Sequence, residues 1–173
     1  MYENNYPKER FQITLDFIAK HLDKQESILD LGVQNPLSDL MLSEGYKVTN
    51  TCGEDLDDDQ TILKEKEYDV LTAFEIIEHL LNPYTILKAS KAKKIVISVP
   101  LRLWFTTAYK SKTDLRDRHF HEFEDWQLDW LIEKAGYTII DRKKWCHKVN
   151  KIGIRPFLRR FTPRYYIVYA EKF

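Results

Sequence analysis

Residues 68–83, YDVLTAFEIIEHLLNP, hold the reading that decides the fold. The stretch opens on a short apolar run, Tyr68 to Phe74, which suits a buried strand, although periodicity alone does not separate it from a buried helix segment. Glu75, Glu78 and His79 follow at i, i+3 and i+4, so one helical turn would set two carboxylates and an imidazole on one face. Asn82-Pro83 can end that turn and start the next helix, since proline suits a first helical position. Polar side chains gathered just past a strand's carboxyl end mark where open α/β sheets take their ligands.

Outward from this stretch, strands and helices alternate. Phe11, Leu15, Ile18 and Leu22 keep a helical spacing. Ser27–Leu31 and Tyr46–Cys52 read as strands, with a helix over Ser38–Glu44 closed by Gly45. Beyond it come a helix over Tyr84–Ser90, a strand over Lys94–Val99, a helix over Glu124–Ala135 ended by Gly136, and strands over Thr138–Arg142 and Tyr165–Glu171. Trp126 and Trp130, one turn apart, read as core. The alternation predicts a mostly parallel sheet with helices on both faces. No repeat or interdomain linker interrupts it, so residues 1–173 read as one domain, with an N-terminal helix inside 1–24 and a basic connection over 143–164. Residues 101–118 show no period yet carry Trp104, Phe105 and Tyr109. Following the strand at 94–99, they read as a lid over the substrate, or as aromatics packed permanently on the N-terminal helix.

Charge sharpens the picture. The formal net charge is zero, but Asp141 to Phe173 holds ten Lys/Arg against two Asp/Glu, leaving 17 and 25 for the rest. Such a split points either to an anionic partner for the tail or to docking of the tail on the acidic body. No nucleic-acid-binding motif accompanies the basic residues, so the expected partner is a small molecule, one that the tail allows to be anionic. No apolar run reaches the ~18 residues of a membrane span. The first ten residues lack an apolar signal core, and Cys52 and Cys146 form neither a disulfide framework nor a Cys-x-x-Cys metal site. A reducing cytoplasm is the expected setting.

The segment 68–83 resembles the middle of class I S-adenosylmethionine (SAM)-dependent methyltransferases, whose small members carry a similar "FDVV…E-x-x-EH…P" pattern at the end of their fourth strand. Ile28 to Gly32 (ILDLG) resembles their first strand and the start of the SAM loop, Ile95 to Pro100 (IVISVP) their fifth strand, and His119 to Tyr137 their "H-x-x-x-F…L…aGF" helix. The resemblance covers roughly residues 25 to 145. It implies an α/β, Rossmann-like three-layer sandwich with a C-terminal antiparallel strand. Between Cys52 and Tyr68 there is room only for a loop and one short element, so the family's third strand is expected to be short or missing.

The resemblance also assigns residues. Against the family's D/E-x-G-x-G-x-G loop, Asp30 and Gly32 match, while Gln34 and Pro36 replace glycines. Gln34 brings a side chain into the closest approach to cofactor and Pro36 removes a backbone donor. Asp30, Gly32, Val33 and Gln34, with Phe74 and Glu75, are thereby implied as SAM contacts; the plain alternative is a strand-to-helix turn. The acidic residue that meets the ribose falls on Cys52 or Gly53, unless the loop shifts to bring up Glu54 or Asp55, and Asp57 lies where some relatives contact adenine. Glu75, Glu78 and His79, completed by His119 or His121, resemble the divalent-metal set of small-RNA 2′-O-methyltransferases, which implies Mg²⁺ or Mn²⁺ as a second cofactor. The alternative is that His79 packs, or that His79 or His119 serves as a general base beside Glu78.

The implied activity is methyl transfer from SAM to an oxygen or nitrogen of a small-molecule or sugar-like metabolite. The alternative is a non-catalytic relative that lost SAM through Gln34 and Pro36 and acts as a binding or assembly subunit. A third is another nucleotide-like ligand in the same cleft. Hydride transfer is not indicated, because the Gly-x-Gly-x-x-Gly dinucleotide pattern is absent.

Overall fold

A computed structural model describes residues 7–65, 67–114, 117–147 and 152–173. In chain order these form α1 (Lys8–His21), β1 (Ser27–Asp30), α2 (Pro36–Ser43), β2 (Lys47–Asn50), α3 (Thr61–Glu65), β3 (Val70–Phe74), α4 (Pro83–Ala89), β4 (Lys94–Pro100), α5 (Asp125–Lys134), β5 (Thr138–Cys146), α6 (Ile154–Arg159) and β6 (Pro163–Glu171). One six-stranded sheet runs in the order β2-β1-β3-β4-β6-β5. The first four strands are parallel, and β6 runs antiparallel to both β4 and β5. This is the α/β sandwich that the sequence predicts, with its reversed C-terminal hairpin.

Strict alternation along the central strands builds two cores, because successive side chains leave opposite faces of a sheet. Ile28, Val70, Val96, Ile167 and Tyr169 face α1 and α2, meeting Phe11, Leu15, Ile18 and Met41. Leu29, Leu71, Ile95, Ile97, Tyr166 and Val168 face the other way, toward Ile86 and Leu87 of α4 and Leu128 and Ile132 of α5. Helix ends follow local chemistry. Asn35 caps α2 by accepting from the amides of Leu37 and Ser38, with Pro36 at the first helical position. Glu124 and Gln127 form a capping box at α5.

Among the described residues no strand lies between Asn50 and Val70; the five-residue α3 occupies that stretch, so β2 is the sheet's edge. The expected loss of the third strand is what the chain shows. Two expectations fail. Trp126 and Trp130 are 55% and 57% exposed, since the face of α5 that reaches the sheet carries Leu128 and Ile132 instead. The strand expected over 138–142 continues to Cys146, because Arg142, Lys143 and Lys144 pair in register with Val168, Ile167 and Tyr166. Arg142 and Lys144 also dock on Asp129 and Asp125 of α5, so that part of the basic tail does rest on the acidic body.

Candidate functional site

The register sets Asp30, the last residue of β1, between Asn50 at the end of β2 and Thr72 within β3, which runs on to Phe74. Its carboxylate accepts from Thr72 Oγ1 (2.7 Å), Asn50 Nδ2 (2.9 Å) and Ser38 Oγ (3.1 Å). Burial pushes Asp30 up to about 6, against the pull of these three donors. Asp30 therefore braces the loop from inside; every donor around it is the protein's own.

The loop then turns at Gly32, φ +105°, whose amide donates to Thr51 Oγ1 at 2.8 Å. A Cβ there would sit 3.1 Å from Ile76 Cδ1, so the turn lies directly against the acidic stretch 75–79. Val33 is 56% exposed and leans on Gly53. Gln34 folds back, its Nε2 donating to Asp39 Oδ1 at 2.6 Å, and does not bar the loop. The substitutions that the sequence flags as obstacles thus have local uses: Gln34 fastens to α2, and Pro36 starts it. At the tip of β2, Glu54 accepts from the Cys52 amide (2.7 Å) and Asp57 accepts from the amides of Leu81 and Asn82 (2.8 and 2.9 Å). Asp57 is a clasp between two loops.

Beyond β3 the predicted helical turn is broken. Glu75 takes φ +57°, left-handed for a residue with a side chain, and only Ile77–His79 form a single 3₁₀ turn. Glu75, Glu78 and His79 consequently do not share one helical face. Glu75 is held by Arg10 Nη1 (3.2 Å) from α1 and Ser98 Oγ (3.0 Å) from β4. Burial raises its carboxyl, with Arg10 and Ser98 acting against it.

Glu78 points elsewhere. It is 1% exposed, and neither carboxylate oxygen has a hydrogen-bond partner among the described residues. Burial pushes it well up, and the Glu75 charge adds to that. Two imidazoles face it. His79 Nδ1 donates to the Arg118 carbonyl at 2.9 Å, which leaves a bare lone pair on Nε2, 3.8 Å from Glu78 Oε1. His119 Nδ1 donates to Glu122 Oε1 at 2.9 Å, which frees its own Nε2. The two rings meet edge to face, 4.9 Å apart. Burial lowers His79, the Arg118 carbonyl opposing it. Ligand-type atoms of Glu78, His79 and His119 lie within 4.8 Å of one another. Glu75, which the sequence placed in this set, falls outside it, and His121 turns instead to the Leu81 carbonyl at 3.3 Å.

The segment over 101–118 is rooted by buried Leu101 and Leu103, while Trp104 is 71% exposed and edge-on to Phe105. Tyr109 approaches the site, its ring 5.0 Å from His119 and its amide donating to Glu122. Residues 115–116 of the expected lid, and Lys148 and Lys151 of the basic connection, lie outside the described residues. Sequence reasoning missed Arg10 and Ser98; it named Tyr109 only for the lid and gave Glu122 no role. For Arg10 the only signal is a cation in the first turn of an amphipathic helix.

Residues 2–142 match a family model described as a methyltransferase domain. No curated protein matches the chain. Among solved structures, similarity extends to the Burkholderia thailandensis 1,6-didemethyltoxoflavin-N1-methyltransferase, solved with 1,6-didemethyltoxoflavin and S-adenosylhomocysteine. Its TM-score is 0.64 at 16% identity, over 96% of this chain and 79% of that one. The methyltransferase domain of a bacterial Hen1 gives 0.59 at 14% identity, over 96% and 100%. A Haloferax volcanii methyltransferase in complex with the Trm112 activator gives 0.64 at 10%, over 95% and 91%. At such identities these structures establish the fold alone.

Proposed function

Since this chain belongs to the class I methyltransferase family, we propose that it transfers a methyl group from SAM to an oxygen or nitrogen of a small-molecule or sugar-like metabolite. The observation that carries the reading is the abutment of Gly32 on Ile76, which sets the glycine turn beside the Glu78–His79–His119 cluster. SAM would lie along Gly32–Gln34 and beside Phe74. The sulfonium needs little from the protein beyond alignment with the acceptor. A proton must be taken only if the acceptor carries one. His119 suits that role, because Glu122 holds its Nδ1–H and leaves Nε2 to accept. Tyr109 and the segment around it would cover the acceptor and exclude water.

Calorimetric titration with SAM and S-adenosylhomocysteine tests the first requirement. The expected result is one site per chain, followed by methyl transfer from labelled SAM to small-molecule acceptors. No heat and no thermal shift at millimolar ligand would leave the non-catalytic reading in its place.

A second reading concerns metal. A buried carboxylate without a donor, facing an imidazole lone pair, is repulsive unless a proton or a cation lies between them. Glu78, His79 and His119 fit a divalent ion, with the Arg118 carbonyl and Glu122 orienting the two rings from behind. Two nitrogens and one carboxylate favour Mn²⁺, Fe²⁺ or Zn²⁺ over Mg²⁺. Such an ion would supply a positive charge that orients acceptor hydroxyls.

A further inference from the structure

The connection between β5 and β6 is unlike the rest of the surface. No residue of α6 is buried. Ile152, Ile154, Phe157 and Phe161 are 107%, 80%, 58% and 71% exposed. Ile154 and Phe157 lie at i and i+3 on α6, Phe161 follows in the turn after it, and the Phe157 and Phe161 ring centres are 5.3 Å apart. Arg155 and Arg160 stand exposed alongside, with Arg159 half-buried, and none of the three pairs with a carboxylate among the described residues. From Arg142 to Ala170 the sequence holds nine Lys/Arg and no Asp or Glu. The segment sits at the carboxyl ends of the parallel strands. Tyr165 pairs with Pro100 at the end of β4, and the Leu101 amide donates to the Arg164 carbonyl at 2.7 Å. Its apolar ridge therefore stands on the same edge of the sheet as the Glu78–His119 cluster.

We propose that residues 152–161 dock the protein on an anionic membrane surface, the isoleucines and phenylalanines entering the headgroup boundary and the arginines meeting lipid phosphates. The composition is that of an interfacial segment, apolar on one side and basic around it. Other occupants fit less well. Two copies of so basic a face repel each other. Nucleic acid would use the phenyl rings for stacking but leaves the exposed Ile152 and Ile154 without a role. Each basic residue close to an anionic leaflet multiplies partition about fivefold, and salt weakens the effect.

Co-sedimentation of the full chain with phosphatidylcholine vesicles, with and without phosphatidylglycerol, tests this. Binding is expected only with phosphatidylglycerol, weakening as salt rises. Arg155→Gln with Arg160→Gln should lower partition roughly 25-fold, two fivefold steps. Phe157→Glu with Phe161→Glu should abolish it. Both pairs are exposed, so the melting temperature should hold; should the phenylalanine pair misfold, the arginine pair decides alone. The proposal is overturned by absence of binding to phosphatidylglycerol vesicles, or by binding that both variants retain. Tighter binding of a single-stranded oligonucleotide than of vesicles at the same salt also overturns it, as does a concentration-dependent dimer that the phenylalanine variant loses.

Discussion

Arg10 and Glu75, 65 residues apart in sequence, meet at 3.2 Å with side chains only 15% and 16% exposed. The pair ties α1 to the tip of β3, at the point where the backbone takes its left-handed step. The Arg10 guanidinium also lies over the rings of Phe11 and Tyr165, at 5.5 and 5.2 Å. Arg10→Met should therefore cost about 2–3 kcal/mol at neutral pH, since it strands a buried carboxylate. Adding Glu75→Gln should recover more than half of that. A double-mutant cycle by urea unfolding measures the coupling, and two strictly additive effects would refute it.

Acidity offers a second check. Asp30 titrates at about 6 in the fold against 3.8 when exposed. Between these values the native protein holds more protons than the unfolded chain, so stability falls as pH rises through that window and levels off above it. The loss is roughly 3 kcal/mol. Burial raises Glu75 and Glu78 as well, which adds in the same direction. Urea midpoints should thus drop between about pH 4 and 6, and Asp30→Asn should make the slope shallower. A midpoint that climbs across this range would contradict the burial of these carboxyls.

For the metal reading, Mn²⁺ at a hundred times its Kd should stabilise the protein by about 2.7 kcal/mol, a rise in Tm of roughly 5–10 °C for a chain of this size. Glu78→Gln and His119→Ala should each remove the rise, while Glu75→Gln should keep it. Melting curves that no divalent ion shifts would leave Glu78 holding a proton instead.

The glycine turn gives the fourth expectation. Gly32→Ala forces a side chain into φ +105° and against Ile76, at about 1–2 kcal/mol in stability and with loss of SAM binding. Gln34→Gly should change SAM affinity by less than about threefold, since its amide already lies on Asp39. Marked tightening in that variant, read by calorimetry, would mean that Gln34 swings into the cofactor's path.

The sheet was legible because apolar runs at β1, β3 and β4 are bounded by turn residues, and because too few residues separate β2 from β3 for another strand and its crossover. The site was legible as a list of residues more than as an arrangement. Spacing alone put Glu75 with Glu78 and His79, but one left-handed residue sends Glu75 to Arg10 and Ser98. Spacing likewise could not choose between the Trp126/Trp130 face of α5 and its Leu128/Ile132 face. Tertiary packing chose the smaller, wholly apolar side chains and left the indole N–H of Trp126 to donate to Glu124 at 2.9 Å. His119 and Glu122 were visible as neighbours, yet their service to Glu78 depends on the amides of Phe120 and His121 donating to the Glu78 carbonyl, a contact across 42 residues.

The position of β6 bears on how the molecule is made. On a ribosome, β4 and β5 emerge first, and nothing joins them until residues 163–171 slide between them. Until then the nascent chain shows a seven-residue apolar strand edge and a nine-residue ribbon without its neighbour. Arg142, Lys143 and Lys144 on that ribbon act as gatekeepers, their charge discouraging strand-to-strand association between chains in the interval. The sheet is then completed by insertion of β6 between β4 and the edge strand β5 rather than by growth at an edge.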